Sequence, residues 1–156
     1  MAAVEPLPTS QALRIEAVAQ RTGLTKRTIR YYEELGLVSP SGRSGGGYRL
    51  FSEADVARLE RISALKDSAG LSLGEIAGWL EAETERDGIR ERYFASRDAT
   101  AKRGMLTESR AVLTRQLALI ERKRRALEEL LADYRERLQR IDHLDAELAR
   151  EQEARP

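Results

Sequence analysis

Cationic and phenolic side chains are concentrated between residues 24 and 51, at spacings that suit contact with nucleic acid. The candidate DNA-binding residues are Lys26, Arg27, Thr28, Arg30, Tyr31, Arg43, Tyr48 and Arg49. At about 100° of rotation per residue, the first cations of this set share one face of a predicted helix with Tyr31. Side chains at a helix N-terminus can reach base edges in a groove. We therefore expect Lys26 and Arg27 to approach bases.

Two short helices and a hairpin are predicted to position these side chains. A helix over 15–22 ends at Gly23, and Thr25 is a favourable N-cap for a second helix over 26–35. The Gly- and Ser-rich tract that follows leads into a short alternating strand over 48–51, which is typical of a β-hairpin. Two helices joined by a tight turn and followed by such a wing form a winged helix-turn-helix pattern.

The distribution of charge favours nucleic-acid binding over the alternative, a basic face that is only solvated. Net charge is +1, yet residues 1–51 carry seven Lys and Arg against four Asp and Glu. The remainder carries twenty against twenty-two, so the cationic excess lies on the predicted helix-turn-helix.

Two sequence runs carry a resemblance to a known family. The run TIRYYEELGLVSP at residues 28–40, followed by GYRLF at 47–51, resembles the DNA-binding domain of MerR-family bacterial transcription regulators. The resemblance covers roughly residues 14–80, and it implies that Arg30, Tyr31, Tyr48 and Arg49 make backbone and wing contacts. It also implies a homodimer that binds a pseudo-palindromic promoter site. Such dimers bend and untwist double-stranded DNA so that RNA polymerase can engage both core promoter elements.

Two further helices are predicted after the wing. Ser52 and Ser72 each precede an acidic residue at capping-box spacing, and apolar residues follow at helical spacing. These helices are expected to complete a small core, to which Tyr32 also belongs. Residues 82–104 contain an acidic run and glycines, and we predict a linker with one short helix there.

From residue 105 onward, apolar residues recur every seven positions, which is typical of a coiled coil. The predicted dimerisation residues are Leu106, Leu113, Leu117, Ile120, Leu127, Leu131, Tyr134, Leu138 and Ile141. Arg110, Arg124 and Asp145 share the other core position of the heptad, where a parallel dimer would set each against its own copy. An antiparallel coiled coil of about 65 Å avoids these like-charge contacts.

Trp79, Tyr93 and Phe94 are candidates for an effector pocket, with ordinary packing as the alternative. The resemblance implies effector binding in this region. Family members that sense metals or redox state use cysteines after the long helix. This chain has no Cys and one histidine, His143, so we predict no metal site and no cofactor.

Other function classes find little support in the sequence. The sequence shows no recognisable catalytic Ser/His/Asp set, catalytic carboxylate pair or phosphate-binding P-loop, so we do not expect an enzyme. No apolar run approaches the 18 residues of a membrane span and no signal peptide is recognisable, which predicts a cytoplasmic protein without membrane contacts.

These observations predict an all-α protein with a small β-wing. The expected segments are a disordered tail (1–12), a winged helix-turn-helix domain (13–81), the linker (82–104), an antiparallel dimerisation helix (105–150) and a second tail (151–156). The predicted function is sequence-specific transcription regulation as a homodimer, with a small-molecule effector as a candidate partner. The alternative is a coiled-coil scaffold protein whose basic head docks on an acidic partner.

Overall fold

The computed structural model describes residues 12–153. Its elements are β1 (Leu13–Arg14), α1 (Ile15–Thr22), α2 (Lys26–Glu34), β2 (Gly42–Arg43), β3 (Arg49–Phe51), α3 (Glu53–Asp67), α4 (Leu73–Ala95) and α5 (Ala99–Glu153). The predicted class, all-α with a small β-wing, is confirmed. The predicted tail over 1–12 lies almost entirely outside the described residues, and so does the second half of the tail over 151–156, whereas residues 151–153 continue α5. The chain divides into two compact units, and the boundary falls after Glu85.

The first unit begins with the predicted helix pair. Gly23 ends α1 at a φ of 71°, which a residue without a side chain adopts at little cost, and its N–H donates to the Ala19 carbonyl. The Thr25 hydroxyl then caps α2 by accepting from the Thr28 N–H at 3.0 Å. The turn between the helices therefore needs only two residues, Leu24 and Thr25, after the glycine.

The wing belongs to a three-stranded antiparallel sheet with the order β1-β3-β2. Arg43 pairs with Arg49 across the hairpin, and Gly47 closes the turn at a φ of 78°. On the other side of β3, Leu13 pairs with Phe51. The sequence did not predict β1, because a strand of two residues has no alternation to detect.

Capping boxes start both helices that follow the wing, as predicted. Ser52 accepts from the Asp55 N–H while the Asp55 carboxylate accepts from the Ser52 N–H, and Ser72 and Glu75 repeat the arrangement. The core of the first unit is apolar; its most deeply buried large side chains are Val18, Ile29, Tyr32, Val38, Phe51, Val56, Leu59, Ile62 and Ile76. The core assignment of Tyr32, which is 2% exposed, is confirmed.

The predicted linker over 82–104 is wrong, because the segment is almost entirely helical. Helix α4 continues to Ala95, and only residues 96–98 separate it from α5. Asp98 ends this short turn by accepting from the N–H groups of Thr100 and Ala101. Gly88 lies inside α4 without breaking it, since a glycine costs a helix only about 1 kcal/mol relative to alanine.

Helix α5 has 55 residues and begins six residues before the predicted coiled coil. Near its start, Val112 and Gln116 are buried while Leu113 is exposed, so this part of the helix has two distinct faces. Within residues 12–153, no helix combines the length and apolar character needed to cross a membrane.

Candidate nucleic-acid interface

Helix α2 presents its predicted cationic face to solvent. Lys26, Arg27, Arg30 and Tyr31 are exposed, whereas Ile29 is buried in the core on the opposite side. Thr28 is half-buried, and its hydroxyl lies 2.8 Å from that of the cap residue. The amphipathic division of the helix therefore follows the predicted faces, and the apolar side anchors the cations in fixed positions.

Two concave surfaces flank this face. The larger, of about 830 Å³, lies along Arg27, Arg30 and Tyr31 and is also lined by Lys66 and Leu73. The smaller, of about 320 Å³, is lined by α2, the wing and the start of α1; its cations are Arg14, Arg30 and Arg49. Because Arg30 lines both, the two surfaces form one cationic band, which we call the basic band.

Two cations of the basic band, Arg14 and Lys66, were not predicted as site residues. Arg14 lies on β1, opposite Leu50, and its guanidinium carbon is 5.3 Å from the centre of the Tyr48 ring. Lys66 lies in the last turn of α3. Neither could be assigned from spacing, since β1 was not recognised and one lysine at a helix end carries no positional signal.

Lys26 pairs within the first unit rather than pointing freely to solvent. Its ammonium lies 3.3 Å from the Glu16 carboxylate, and both side chains are more than half exposed. A backbone hydrogen bond at Glu16, followed by the bond from Lys26, holds the pKa of Glu16 below its ordinary value. An exposed pair of this kind is weak, so a phosphate or base edge can replace the carboxylate as the partner of Lys26.

Arg49 joins the wing to α2. Its Nε donates to both carboxylate oxygens of Glu33, at 2.6 and 2.9 Å, and the Glu33 side chain is only 20% exposed. The family resemblance implied that Arg49 makes a backbone or wing contact. The ion pair gives it a positioning role as well, because it fixes the direction in which the hairpin leaves α2.

The other wing residues remain accessible. Tyr48 is 62% exposed at the hairpin and Arg43 is exposed on β2. Ser44 closes the hairpin turn by accepting from the Tyr48 N–H through its hydroxyl, and its own N–H donates to the Tyr48 carbonyl. The tip of the wing is therefore an ordered turn that carries one phenol and one guanidinium.

Replacing Glu33 by glutamine tests the positioning role of Arg49. Removing a negative charge beside the basic band should by itself strengthen binding to duplex DNA. We expect Glu33→Gln instead to weaken binding about two- to fivefold, because the wing loses its link to α2.

Fluorescence anisotropy with a labelled duplex measures the change in affinity. The matched control is Glu34→Gln, which removes the same charge from the adjacent, exposed position and should bind equally well or better. Equal strengthening by both variants would contradict the role.

The predicted dimerisation residues form a continuous apolar stripe on α5. All nine are exposed in the single chain, from 46% for Leu113 to 62% for Leu127. Leu130 and Leu144 lie beside the stripe and widen it toward the C-terminal end. Arg124 is held by Glu128 of the same helix at 3.6 Å, and His143 similarly lies 3.2 Å from Glu147.

The candidate effector residues are divided between the two units. Trp79 belongs to the first unit, where its indole N–H donates to Glu83 at 2.9 Å. Tyr93 and Phe94 belong to the second unit and form an edge-to-face pair with ring centres 5.5 Å apart. Among the described residues there is no group of three or more His, Cys, Asp or Glu side chains that could hold a metal ion.

A capped helix pair, a short sheet beside it and a cationic band along the second helix define a winged helix-turn-helix protein. The family model described as MerR HTH family regulatory protein matches residues 13–83. The HTH-type transcriptional regulator YfmP of Bacillus subtilis is 39% identical over 127 residues, which cover 81% of this chain and 88% of that protein. The chain therefore belongs to the MerR family and is a DNA-binding transcriptional regulator.

Two further similarities are found. The uncharacterized HTH-type transcriptional regulator YyaN of Bacillus subtilis is 30% identical over 119 residues, covering 76% of this chain and 82% of that protein. A crystal structure of a MerR-family regulator from Bacillus cereus covers 93% of this chain and 86% of its own, at 26% identity and a TM-score of 0.48. The named relatives are transcriptional regulators rather than enzymes.

Proposed function

We propose that this regulator acts as a homodimer on a pseudo-palindromic promoter site and distorts the DNA between the two half-sites. The observation that carries the proposal is the combination of one basic band with one unpartnered apolar stripe on α5. A single band can occupy one half-site. A second copy, held by the stripe, supplies the other.

The cations of the basic band, and Lys26 beside it, are proposed to make different kinds of contact with DNA. Lys26 and Arg27 occupy the first turn of α2, from which side chains reach base edges in a major groove. Arg30 lies one turn further along, between the two concave surfaces, where a phosphate can approach from either side. Tyr31, Arg43, Tyr48 and Arg49 extend the contact along the backbone, and Arg14 and Lys66 add cations at the two ends.

The stripe supports self-association. Burying one leucine side chain stabilises a complex by about 1.5–3 kcal/mol, and the stripe offers nine large apolar residues per chain. An isolated amphipathic helix of 55 residues leaves that surface in water. A second copy is the simplest partner, because a two-fold dimer pairs the same stripe with itself.

Promoter distortion follows from holding two wings and two α2 helices in a fixed relation. Bending a site of this size costs on the order of 1–6 kcal/mol, which the contacts of the basic bands can offset. We propose that the distorted promoter then presents both core elements to RNA polymerase, so that the polymerase is an indirect partner. A small-molecule effector is proposed to modulate this state.

Two substitutions on α2 separate base contacts from phosphate contacts. Arg27→Ala should cost about 1–3 kcal/mol of specific binding and relax the preference at one base pair in each half-site. Arg30→Ala should weaken specific and non-specific duplexes similarly and reduce the slope of log affinity against log salt by about 1. Sites selected by the full chain from a random duplex pool supply the probes, and affinities are measured across a salt series.

Arg21 provides the matched control for these substitutions. It is a cation of the same domain, but it pairs with Glu53 at 2.6 Å and lines neither concave surface, so Arg21→Ala should leave DNA affinity nearly unchanged. If the wild-type protein binds no duplex at any salt concentration, the alternative of a scaffold that docks on an acidic protein is favoured instead.

A further inference from the structure

The second unit contains a cavity that shares one lining residue, Leu106, with the dimerisation stripe and is otherwise not used by the proposed function. It lies between the end of α4 and the start of α5 and has a volume of about 230 Å³. Its lining comes from Arg86, Asp87, Ile89, Arg90, Tyr93, Met105, Leu106 and Ser109. All eight residues belong to one compact unit.

Contacts between α4 and α5 surround this cavity. Arg92 of α4 pairs with Glu108 of α5 at 2.7 Å. The Lys102 ammonium lies 4.8 Å from the centre of the Tyr93 ring, which links the two helices a second time. Asp98 caps α5 within the three-residue turn. The cavity is present in the chain without a ligand, which is the usual condition of small-molecule sites.

Half of the residues that line the cavity are apolar or aromatic. Ile89 is 4% exposed, Met105 is half-buried, and Leu106 and the Tyr93 ring complete the surface. A flat ring can lie against tyrosine and make dispersion contacts with the aliphatic side chains. The volume is below the range of about 300–1,000 Å³ for drug-sized ligands, so the cavity fits a single ring with a small substituent.

The charges at the cavity favour an anion. Arg86 and Arg90 contribute two guanidinium groups against the single carboxylate of Asp87. Arg86 forms no ion pair within residues 12–153, and Arg90 is stacked 6.0 Å from the Phe94 ring rather than paired with a carboxylate. Guanidinium groups bind carboxylates through paired, charge-assisted hydrogen bonds.

We propose that the cavity between α4 and α5 binds a small aromatic carboxylate. The ring lies against Tyr93 and Met105, and the carboxylate accepts hydrogen bonds from Arg86 and Arg90. Only the description of this molecule as an effector rests on the proposed function, since the binding step itself needs no DNA.

Methionine NMR gives a direct readout, because the chain has two methionines and one of them, Met105, lines the cavity. The 156-residue chain is labelled with 13C at the methionine methyl groups and titrated with benzoate without DNA. We expect a saturable shift of the Met105 resonance from the ring current, with the Met1 resonance unchanged. Benzamide, which has the same shape without the charge, should bind about tenfold more weakly.

Substitutions of arginine test whether the carboxylate of benzoate is bound at the cavity. Arg86→Gln should weaken benzoate binding about tenfold, whereas Arg97→Gln, at an exposed arginine in the nearby turn, should not change it. An unmoved Met105 resonance, equal shifts with benzamide or sulfate, or equal effects of the two substitutions would overturn the proposal. Duplex binding by the same protein sample is measured separately, so failure here is distinguishable from failure of the proposed function.

Discussion

Replacing Leu131 and Leu138 by aspartate together is expected to convert the proposed dimer into monomers and to lower operator affinity about 10²–10⁴-fold. Both leucines occupy the stripe and are more than half exposed in the single chain. The substitutions place four carboxylates in the proposed interface of two chains and remove four leucine side chains, each contributing about 1.5–3 kcal/mol. A monomer then binds one half-site without the gain in effective concentration that a linked second head supplies.

The neighbouring positions provide a matched control for this change. Ala132→Asp with Gln139→Asp adds the same two charges to the same turns of α5, but one residue further along and away from the stripe. Helix propensity changes by less than 1 kcal/mol at each site in both variants, so α5 is affected similarly. Sedimentation velocity should find the control dimeric and the stripe variant monomeric. A stripe variant that remains dimeric with full operator affinity would show that α5 is not the interface.

The DNA-binding half of the fold could be predicted because its signals are local. Thr25, Ser52 and Ser72 each cap a helix with a partner three residues away, so a single short window contains both halves of the interaction. Gly23 marks a helix end through a backbone geometry that other residues avoid. The exposed face of α2 follows from helical periodicity alone, which made four of the eight candidate DNA-binding residues identifiable.

Helix α4 was predicted too short because its second half has little periodic apolar signal. Between Leu80 and Ile89, only Ala82 is a buried apolar residue, and the acidic run with Gly88 is typical of a linker in sequence. The helix continues because Ile89 is buried and the corner beyond it is cross-linked by Arg92 and Glu108. Tertiary contacts of this kind override a weak local helix propensity, and they cannot be recognised from the sequence alone.

The Arg49–Glu33 pair shows a second limit of prediction. Both residues are charged and lie 16 positions apart on different elements, so composition cannot distinguish a paired guanidinium from a free one. The same applies to Lys26 and Glu16. Identifying a cationic surface from sequence was therefore feasible, while knowing which of its cations already have partners required the three-dimensional arrangement.

A cysteine series along α5 is expected to distinguish an antiparallel coil from a parallel one. The chain has no native cysteine, so each variant contains one thiol. The series places cysteine singly at Leu113, Ile120, Leu127, Tyr134 and Ile141, which occupy the same heptad position. In a parallel dimer each of these faces its own copy, and all five should form disulfides, which require Cα atoms within about 7 Å.

In an antiparallel dimer, only a position beside the two-fold axis meets its own copy, so we expect efficient disulfide formation at no more than one of the five. The charged stripe positions give the physical reason. A parallel coil would set Arg110 against Arg110 and Asp145 against Asp145, whereas the antiparallel arrangement brings the two ends, and their opposite charges, together. Arg124 contributes less to this argument, because the carboxylate of Glu128 on the same helix lies 3.6 Å from its guanidinium group.

Mild oxidation followed by non-reducing electrophoresis measures which positions form disulfides. Strong cross-linking at Leu113 and Ile141 in the same series would require a parallel coil, since these two positions lie 28 residues apart on one helix and cannot both adjoin a single axis.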